Sequence, residues 1–150
     1  MINCSSQSGK INLILGPMYS GKTTELFRLA RRYQLAGKHV GIVKYSGDNR
    51  YNELFACTHD MTQMEAINAS SIAEIYAQLL TFDVVAIDEG QFFTDIAAKV
   101  NDLAEAGKIV IVASLNAGYK QQVCILEHFE PVQKFSLSKT LFSSLPWPKK

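Results

Sequence analysis

The stretch Ile11-Asn12-Leu13-Ile14-Leu15-Gly16-Pro17-Met18-Tyr19-Ser20-Gly21-Lys22-Thr23 decides how this chain of 150 residues folds. Residues 11–15 form a short apolar run that stops at Gly16-Pro17, which is typical of a buried strand. Residues 16–23 fit the pattern G-x-x-x-x-G-K-[ST], in which glycines let successive backbone N–H groups converge on an anion. Beyond Thr23 the apolar residues recur at helical spacing. The sequence therefore predicts a strand, a phosphate-binding loop and a helix in succession.

The polar groups of this loop suit a nucleoside triphosphate with its magnesium ion. The helix that follows directs the positive end of its dipole at the loop. The Lys22 side chain is long enough to reach the outer phosphates, and the Thr23 hydroxyl can ligate Mg²⁺. We predict that the whole loop contacts the phosphates, through Gly16, Pro17, Met18, Tyr19, Ser20, Gly21, Lys22 and Thr23.

The rest of the chain alternates between strand and helix patterns. Further strands are predicted over 40–45, 82–87 and 109–113. A capping box of Ser71 and Glu74 opens one helix, and Thr94 is predicted to cap another that runs through Ala106. This order predicts an α/β fold of the P-loop NTPase type, a mostly parallel β-sheet flanked by helices. Ligands of such sheets bind beyond the carboxyl ends of the strands.

Some stretches are harder to interpret. Residues 50–69 keep neither period for long, and residues 123–129 show only a weak helical face. We expect one α/β domain that carries the phosphate loop over residues 1–135, followed by an unassigned tail over 136–150.

An acidic pair follows the third predicted strand. Asp88-Glu89 comes directly after the apolar run 84–87, at the place where phosphate-loop enzymes hold Mg²⁺ with an aspartate. A second carboxylate beside that aspartate can accept a proton from an attacking hydroxyl or orient a water molecule. The pair and the phosphate loop together complete one site, so we predict that both carboxylates belong to that site.

Composition and charge argue against several other classes of protein. Fifteen basic and fourteen acidic residues leave a formal net charge of +1, so no overall field favours nucleic acid or a membrane surface. No apolar run is long enough to span a bilayer. Three scattered cysteines and a mostly polar start predict a protein of the reducing cytoplasm, without a disulfide framework.

Two longer segments resemble one known enzyme family. Residues 15–25, Leu-Gly-Pro-Met-Tyr-Ser-Gly-Lys-Thr-Thr-Glu, and 87–93, Ile-Asp-Glu-Gly-Gln-Phe-Phe, closely resemble segments of the type II thymidine kinases, the cytosolic, poxviral and bacterial type. Shorter segments that resemble the same family are Lys44-Tyr45, Asp48-Asn49-Arg50-Tyr51, Thr58-His59-Asp60 and residues 106–113. The resemblance runs from about residue 11 to residue 122, and its set of motifs is specific.

The resemblance implies an ATP-dependent thymidine kinase that makes dTMP for nucleotide salvage and DNA synthesis. Its partners would be ATP and thymidine, its cofactor Mg²⁺, and its assembly a homotetramer or homodimer. It implies three catalytic residues, which are Glu89 as the general base, Lys22, and Arg50 as an arginine that approaches the phosphates. Asp88 is the implied magnesium ligand, together with Thr23.

The resemblance also assigns residues to the two substrates. Gln91 belongs to a segment that contacts the nucleotide. The residues implied to line the thymidine pocket are Met18, Phe92 and Tyr119.

The sequence departs from the family pattern after Tyr119. The family normally continues with two Cys-x-x-Cys pairs that hold zinc, and between them lies a loop, called the lasso, whose backbone reads the thymine edge. The cysteines here are Cys4, Cys57 and Cys124, and none belongs to such a pair. We therefore expect a kinase that is short at its C-terminal side and has no zinc site.

Two alternatives remain open at this point. One is a truncated, non-catalytic remnant or isoform that binds ATP without turnover. The other is a phosphate-loop NTPase that uses Glu89 to orient water, although the Gly90-Gln91-Phe92-Phe93 continuation favours a nucleoside pocket.

Overall fold

The computed structural model describes residues 9–47, 65–115 and 135–136, which form an α/β fold around one sheet. The strands are β1 Lys10–Gly16, β2 Val40–Tyr45, β3 Glu65–Ala69, β4 Val84–Ile87, β5 Ile109–Leu115 and the two-residue β6 Phe135–Ser136. The helices are α1 Lys22–Leu35, α2 Ile72–Leu79 and α3 Ile96–Glu105, with a short 3₁₀ turn at Gly90–Phe92.

The six strands are ordered β3-β2-β4-β5-β1-β6, and every neighbouring pair is parallel. One row of paired residues crosses the middle of the sheet through Val43, Ile87, Val112 and Leu13. Because all strands run the same way, their carboxyl ends meet at one edge. This edge carries the phosphate loop after β1 and the acidic pair after β4.

Each face of the sheet is covered by helix, as the predicted fold requires. On one face, α1 packs Leu26, Phe27 and Ala30 against residues such as Ile14 and Ala86. On the other face, α2 and α3 pack against a second apolar cluster. The interior strands are apolar on both sides and bury nearly all their residues, which fixes the sheet rigidly beneath the site.

The observed elements correct two details of the sequence analysis. The edge strand β3 lies in the stretch 50–69 that no period identified, because alanines and Asn68 interrupt its apolar pattern. Helix α3 begins at Ile96 with Asp95 as its N-cap residue, so Thr94 does not cap it. Ser71 does cap α2, accepting a hydrogen bond from the Ala73 N–H at 3.2 Å.

The remaining predicted features stay predictions. The weak helical face over 123–129 lies outside the described residues, and the division of the chain after residue 135 is not decided by the two residues of β6. Among the helices in the described ranges, none is both long and apolar enough to cross a membrane.

Candidate active site

The phosphate loop joins the end of β1 to the start of α1, and its glycines serve different purposes. A methyl group at Gly16 would lie 2.5 Å from Ser20 Oγ, so the close approach of Ser20 requires glycine at this position. Gly21 has open space around it but a φ of +82°, a left-handed conformation that favours glycine. Tyr19 also has a positive φ of 60°. The loop is therefore tightly turned, as a backbone cradle for an anion must be.

Two polar side chains of the loop face its interior. Lys22 is 8% exposed, and its Nζ donates a hydrogen bond to the Pro17 carbonyl at 2.7 Å. Ser20 Oγ is buried and has no hydrogen-bond partner within the described residues. A buried hydroxyl without a partner is costly, so its presence favours a ligand that completes the loop.

The start of α1 meets the end of β4 through two residues that the sequence analysis had assigned to Mg²⁺. Thr23 Oγ1 lies 3.2 Å from each oxygen of the Asp88 carboxylate. Asp88 is 7% exposed, and its Oδ1 also accepts the Glu89 N–H at 3.0 Å. These contacts place a hydroxyl and a carboxylate, both hard oxygen donors, at the mouth of the phosphate loop.

Charge is concentrated around Asp88. Burial raises the pKa of Asp88, and the neighbouring Glu89 carboxylate raises it further, while hydrogen bonds from the Glu89 N–H and Thr23 and the charge of Lys44 oppose the shift. Burial likewise lowers the pKa of Lys22, opposed by the charges of Glu89 and Asp88. The site thus holds acids and bases close enough to influence one another, which is typical of catalytic centres.

Glu89 stands on an unusual backbone. Its φ of 53° and ψ of 45° are left-handed, and it caps the 3₁₀ turn Gly90–Phe92. The half-buried Glu89 side chain accepts a hydrogen bond from Gln91 Nε2. Non-glycine residues with this conformation are uncommon and are concentrated at functional sites.

Lys44 is a charged residue of this region that the sequence analysis did not assign to the site. Val43 pairs with Ile87, and the Asp88 N–H donates to the Val43 carbonyl at 3.0 Å. Lys44 and Asp88 are the residues that directly follow this pair on the two neighbouring chain segments. Burial lowers the pKa of Lys44, and the charge of Asp88 opposes that shift. The pairing of β2 with β4 brings this lysine to the acidic pair, and the order of strands along the chain does not reveal that pairing.

The aromatic residues after the acidic pair divide between core and surface. Phe93 is buried, whereas Phe92 is 43% exposed. Tyr45 stacks on Phe92 at a ring-centroid distance of 5.3 Å and meets Phe93 edge-on at the same distance. Met18, the other described residue assigned to the nucleoside, is 63% exposed in the loop. Phe92 and Met18 are therefore accessible to a ligand.

Two residues with predicted roles lie outside the described ranges. These are Arg50, assigned to the phosphates, and Tyr119, assigned to the base. The structure therefore brings together Lys22, Thr23, Asp88 and Glu89, and the roles of the other two stay predictions.

Comparison with known proteins agrees with this geometry. The family model described as "Thymidine kinase" matches residues 9–138, a range that includes every described strand and helix. The chain belongs to the thymidine kinase family. Both halves of the site, the phosphate loop and the acidic pair, lie inside the matched range, so the fold and its motifs are those of a family member.

Individual thymidine kinases are similar to this chain at close to half of the aligned positions. The thymidine kinase of vaccinia virus (strain Ankara) is 46% identical over 114 residues, which are 76% of this chain and 64% of the viral protein. The cytosolic thymidine kinase of Homo sapiens is 45% identical over 118 residues, 79% of this chain and 50% of the human protein. Thymidine kinase 1 of Dictyostelium discoideum is 43% identical over 119 residues, 77% and 52% of the two chains.

The aligned regions do not cover these relatives completely. The chain spans between half and just under two thirds of the length of these thymidine kinases.

Proposed function

We propose that this chain is an ATP-dependent thymidine kinase, which transfers the γ-phosphoryl group of Mg-ATP to the 5′-hydroxyl of thymidine. The observation that carries the proposal is the meeting of Thr23 with Asp88 at 3.2 Å, with Glu89 next in the chain. This contact joins the phosphate loop to Asp88, and Glu89 adds a second carboxylate. A kinase needs these carboxylates, whereas a simple anion-binding loop does not. Membership of the thymidine kinase family supports thymidine as the acceptor.

The phosphate side of the reaction is assigned to the loop. Its backbone N–H groups and the start of α1 hold the β- and γ-phosphates, Ser20 donates its unpartnered hydroxyl, and Lys22 exchanges the Pro17 carbonyl for a phosphate oxygen. We also assign Arg50, which lies outside the described residues, to these phosphates. These groups fix the donor in place and offset its charge, which is most of what phosphoryl transfer requires of a protein.

The residues present fit a magnesium ion. Mg²⁺ is usually held by one or two carboxylates together with substrate phosphates and water, and the described residues include no cluster of three or more His, Cys, Asp or Glu that would form a complete cage. Thr23 and Asp88 would hold it. When bound, the ion neutralises charge that develops on the phosphates.

Glu89 is assigned the proton transfer. Its carboxylate accepts the proton of the thymidine 5′-hydroxyl while that oxygen forms a bond to the γ-phosphorus, and the bond to the bridging oxygen breaks to release ADP. Positioning of Glu89 by its left-handed backbone supports this role. Phe92, Met18 and Tyr119 line the nucleoside pocket in this proposal.

The remaining attributes follow from the family. The name of the human relative supports a cytoplasmic location. We expect a homotetramer or homodimer, with residues 1–135 as the kinase domain.

Product formation tests the proposal directly. The purified chain is incubated with Mg-ATP and labelled thymidine, and thymidine monophosphate is sought by chromatography. Nucleoside-dependent formation of the monophosphate is the expected result. A chain that binds ATP but phosphorylates neither thymidine nor any other nucleoside would be a non-catalytic remnant, and ADP released equally without nucleoside would identify an NTPase. Either result would overturn the proposal.

A further inference from the structure

The side chain of Gln91 bridges two parts of the site. Its Nε2 donates a hydrogen bond to Glu89 Oε2. Its Oε1 accepts hydrogen bonds from Ser114 Oγ at 3.3 Å and from the Leu115 backbone N–H at 3.2 Å. One amide thus connects the carboxylate after β4 to the last two residues of β5.

The direction of this amide is determined by its partners. A backbone N–H can only donate, so the amide oxygen must face Leu115, and the amide nitrogen must then face Glu89. Ser114, the second donor to Oε1, is 1% exposed, which keeps this end of the bridge out of water. Both ends of the Gln91 amide are occupied by protein groups.

The backbone beneath Glu89 is anchored to the same strand. A methyl group at Gly90 would lie 2.7 Å from Val112 Cγ1 and 2.8 Å from Ile96 Cδ1, so the 3₁₀ turn approaches β5 as closely as glycine allows. The left-handed backbone of Glu89 sets the direction in which its side chain leaves the chain. The rotatable bonds of that side chain would still let the carboxylate wander, and the Gln91 donor removes this freedom.

We propose that Gln91 is a positioning residue, which holds the Glu89 carboxylate in place by bracing it against the end of β5. The inference rests on the proposed function, because it gives Glu89 the role of base. It differs from a direct contact between Gln91 and the nucleotide, the role implied by resemblance alone. A base that is displaced by about 1 Å can lose roughly a hundredfold in rate, so a brace of this kind has a measurable effect.

Kinetics separate the two roles of Gln91. Gln91→Met keeps the length of the side chain and removes its hydrogen bonds, and Gln91→Glu places a second carboxylate against Glu89. We expect kcat to fall roughly ten- to a hundredfold in Gln91→Met and further in Gln91→Glu. The Kd for Mg-ATP should stay within about twofold of the unmodified chain in both variants, as should both constants in the exposed control Gln78→Met. A weakened Kd with unchanged kcat would make Gln91 a nucleotide contact and overturn the inference.

A second readout needs no turnover. In the ¹⁵N-labelled full chain, the side-chain NH₂ signals of Gln91 are those that disappear in Gln91→Met. Glu89→Gln and Ser114→Ala should both shift these signals, and the exposed control Glu105→Gln should leave them in place. If Glu89→Gln leaves them unmoved, the bridge is absent and the inference is overturned. Failure of the unmodified chain to phosphorylate any nucleoside would instead overturn the proposed function, so the two failures are distinguishable.

Discussion

The Thr23 hydroxyl lies 3.2 Å from both oxygens of the Asp88 carboxylate, although the two residues are 65 positions apart in the chain. The contact joins the first turn of α1 to the end of β4. Because the Thr23 hydroxyl oxygen keeps lone pairs when it donates its single proton, it can also serve as a cation ligand beside the carboxylate. The same two residues therefore contact each other in the ligand-free protein and, in our proposal, bind Mg-ATP.

Substitution of Thr23 tests this double use. Thr23→Val removes the hydroxyl at nearly constant size, so we expect the Kd for Mg-ATP to rise about tenfold or more, since a hydrogen bond or ligand to a charged group is worth about 1.5–3 kcal/mol. Thr23→Ser keeps the hydroxyl and should bind nearly as the unmodified chain does. Calorimetric titration with ATP, with and without Mg²⁺, measures the Kd of both variants. A valine variant with the affinity of the serine variant would exclude Thr23 from the metal site.

Asp88 should lower the stability of the ligand-free fold as it ionises. Burial, followed by the charge of Glu89, raises its pKa above the ordinary value of 3.8, so stability from this group is present below that pH and is lost as pH rises through the folded pKa. Asp88→Asn removes the ionisable group and with it this loss of stability. Its free energy of unfolding should therefore exceed that of the unmodified chain at neutral pH and approach it in acid.

Urea unfolding at a series of pH values, without nucleotide or Mg²⁺, measures the effect of Asp88→Asn. The same variant should lose Mg-ATP binding, because the amide is a poor magnesium ligand. Asp102→Asn is the matched control, since Asp102 lies on the outer side of α3 and accepts a hydrogen bond from Lys99 Nζ at 3.2 Å. An Asp88→Asn variant that is less stable at neutral pH would show that Thr23 and the Glu89 N–H outweigh the cost of burying the charge.

Ser20 should matter to the complex and not to the free protein. Its hydroxyl is buried without a partner in the described part of the chain, so Ser20→Ala removes a desolvation cost and should leave the stability of the ligand-free fold equal or higher. Loss of a donor to phosphate should weaken ATP binding about tenfold. Thermal unfolding with and without ATP compares the two effects, and Ser70→Ala, at an exposed serine that donates to Glu74, is the control. An unchanged affinity for ATP would contradict this role.

Asp95 stabilises α2 from outside that helix. Its carboxylate accepts hydrogen bonds from Ser71 Oγ at 2.8 Å, the Ala73 N–H at 2.7 Å and the Ile72 N–H at 3.2 Å. Burial acts to raise its pKa, but these hydrogen bonds together outweigh burial and lower it. Its stabilising effect is therefore present above the ordinary pKa of an aspartate and is lost as pH falls through the lowered value.

We expect Asp95→Asn to cost about 1 kcal/mol at neutral pH, the usual size of a helix-cap substitution. The deficit should shrink as the pH falls, because the unmodified carboxylate is then protonated. Urea unfolding at neutral and acid pH measures both values. A deficit that stays constant with pH would mean that the charge of Asp95 contributes nothing to the cap.

Local patterns predicted those parts of the site that lie within one segment of the chain. Residues 16–23 and the pair Asp88-Glu89 each follow an apolar run, and parallel pairing brings the ends of such runs to one edge. The structure confirms the predicted α/β fold with a parallel sheet. The comparisons confirm membership of the thymidine kinase family.

Features that depend on tertiary contacts could not be predicted in this way. Lys44 reaches Asp88 only because β2 pairs with β4, and Gln91 Oε1 finds its hydrogen-bond donors on β5. Asp95 was missed as a residue of the α2 cap because its partners lie more than twenty positions earlier in the chain. In each case the hydrogen bond or charge contact is long-range, so neither periodicity nor capping rules contain it.

In our proposal, Glu89 takes the proton of the nucleoside while the phosphate loop and Asp88 hold Mg-ATP. The most direct test compares dTMP formation and Mg-ATP affinity in the unmodified chain and in Glu89→Gln. Loss of a general base should lower kcat roughly 10²–10⁴-fold, with the Kd for Mg-ATP unchanged within about twofold. A Glu89→Gln variant that forms dTMP at the rate of the unmodified chain would contradict the account.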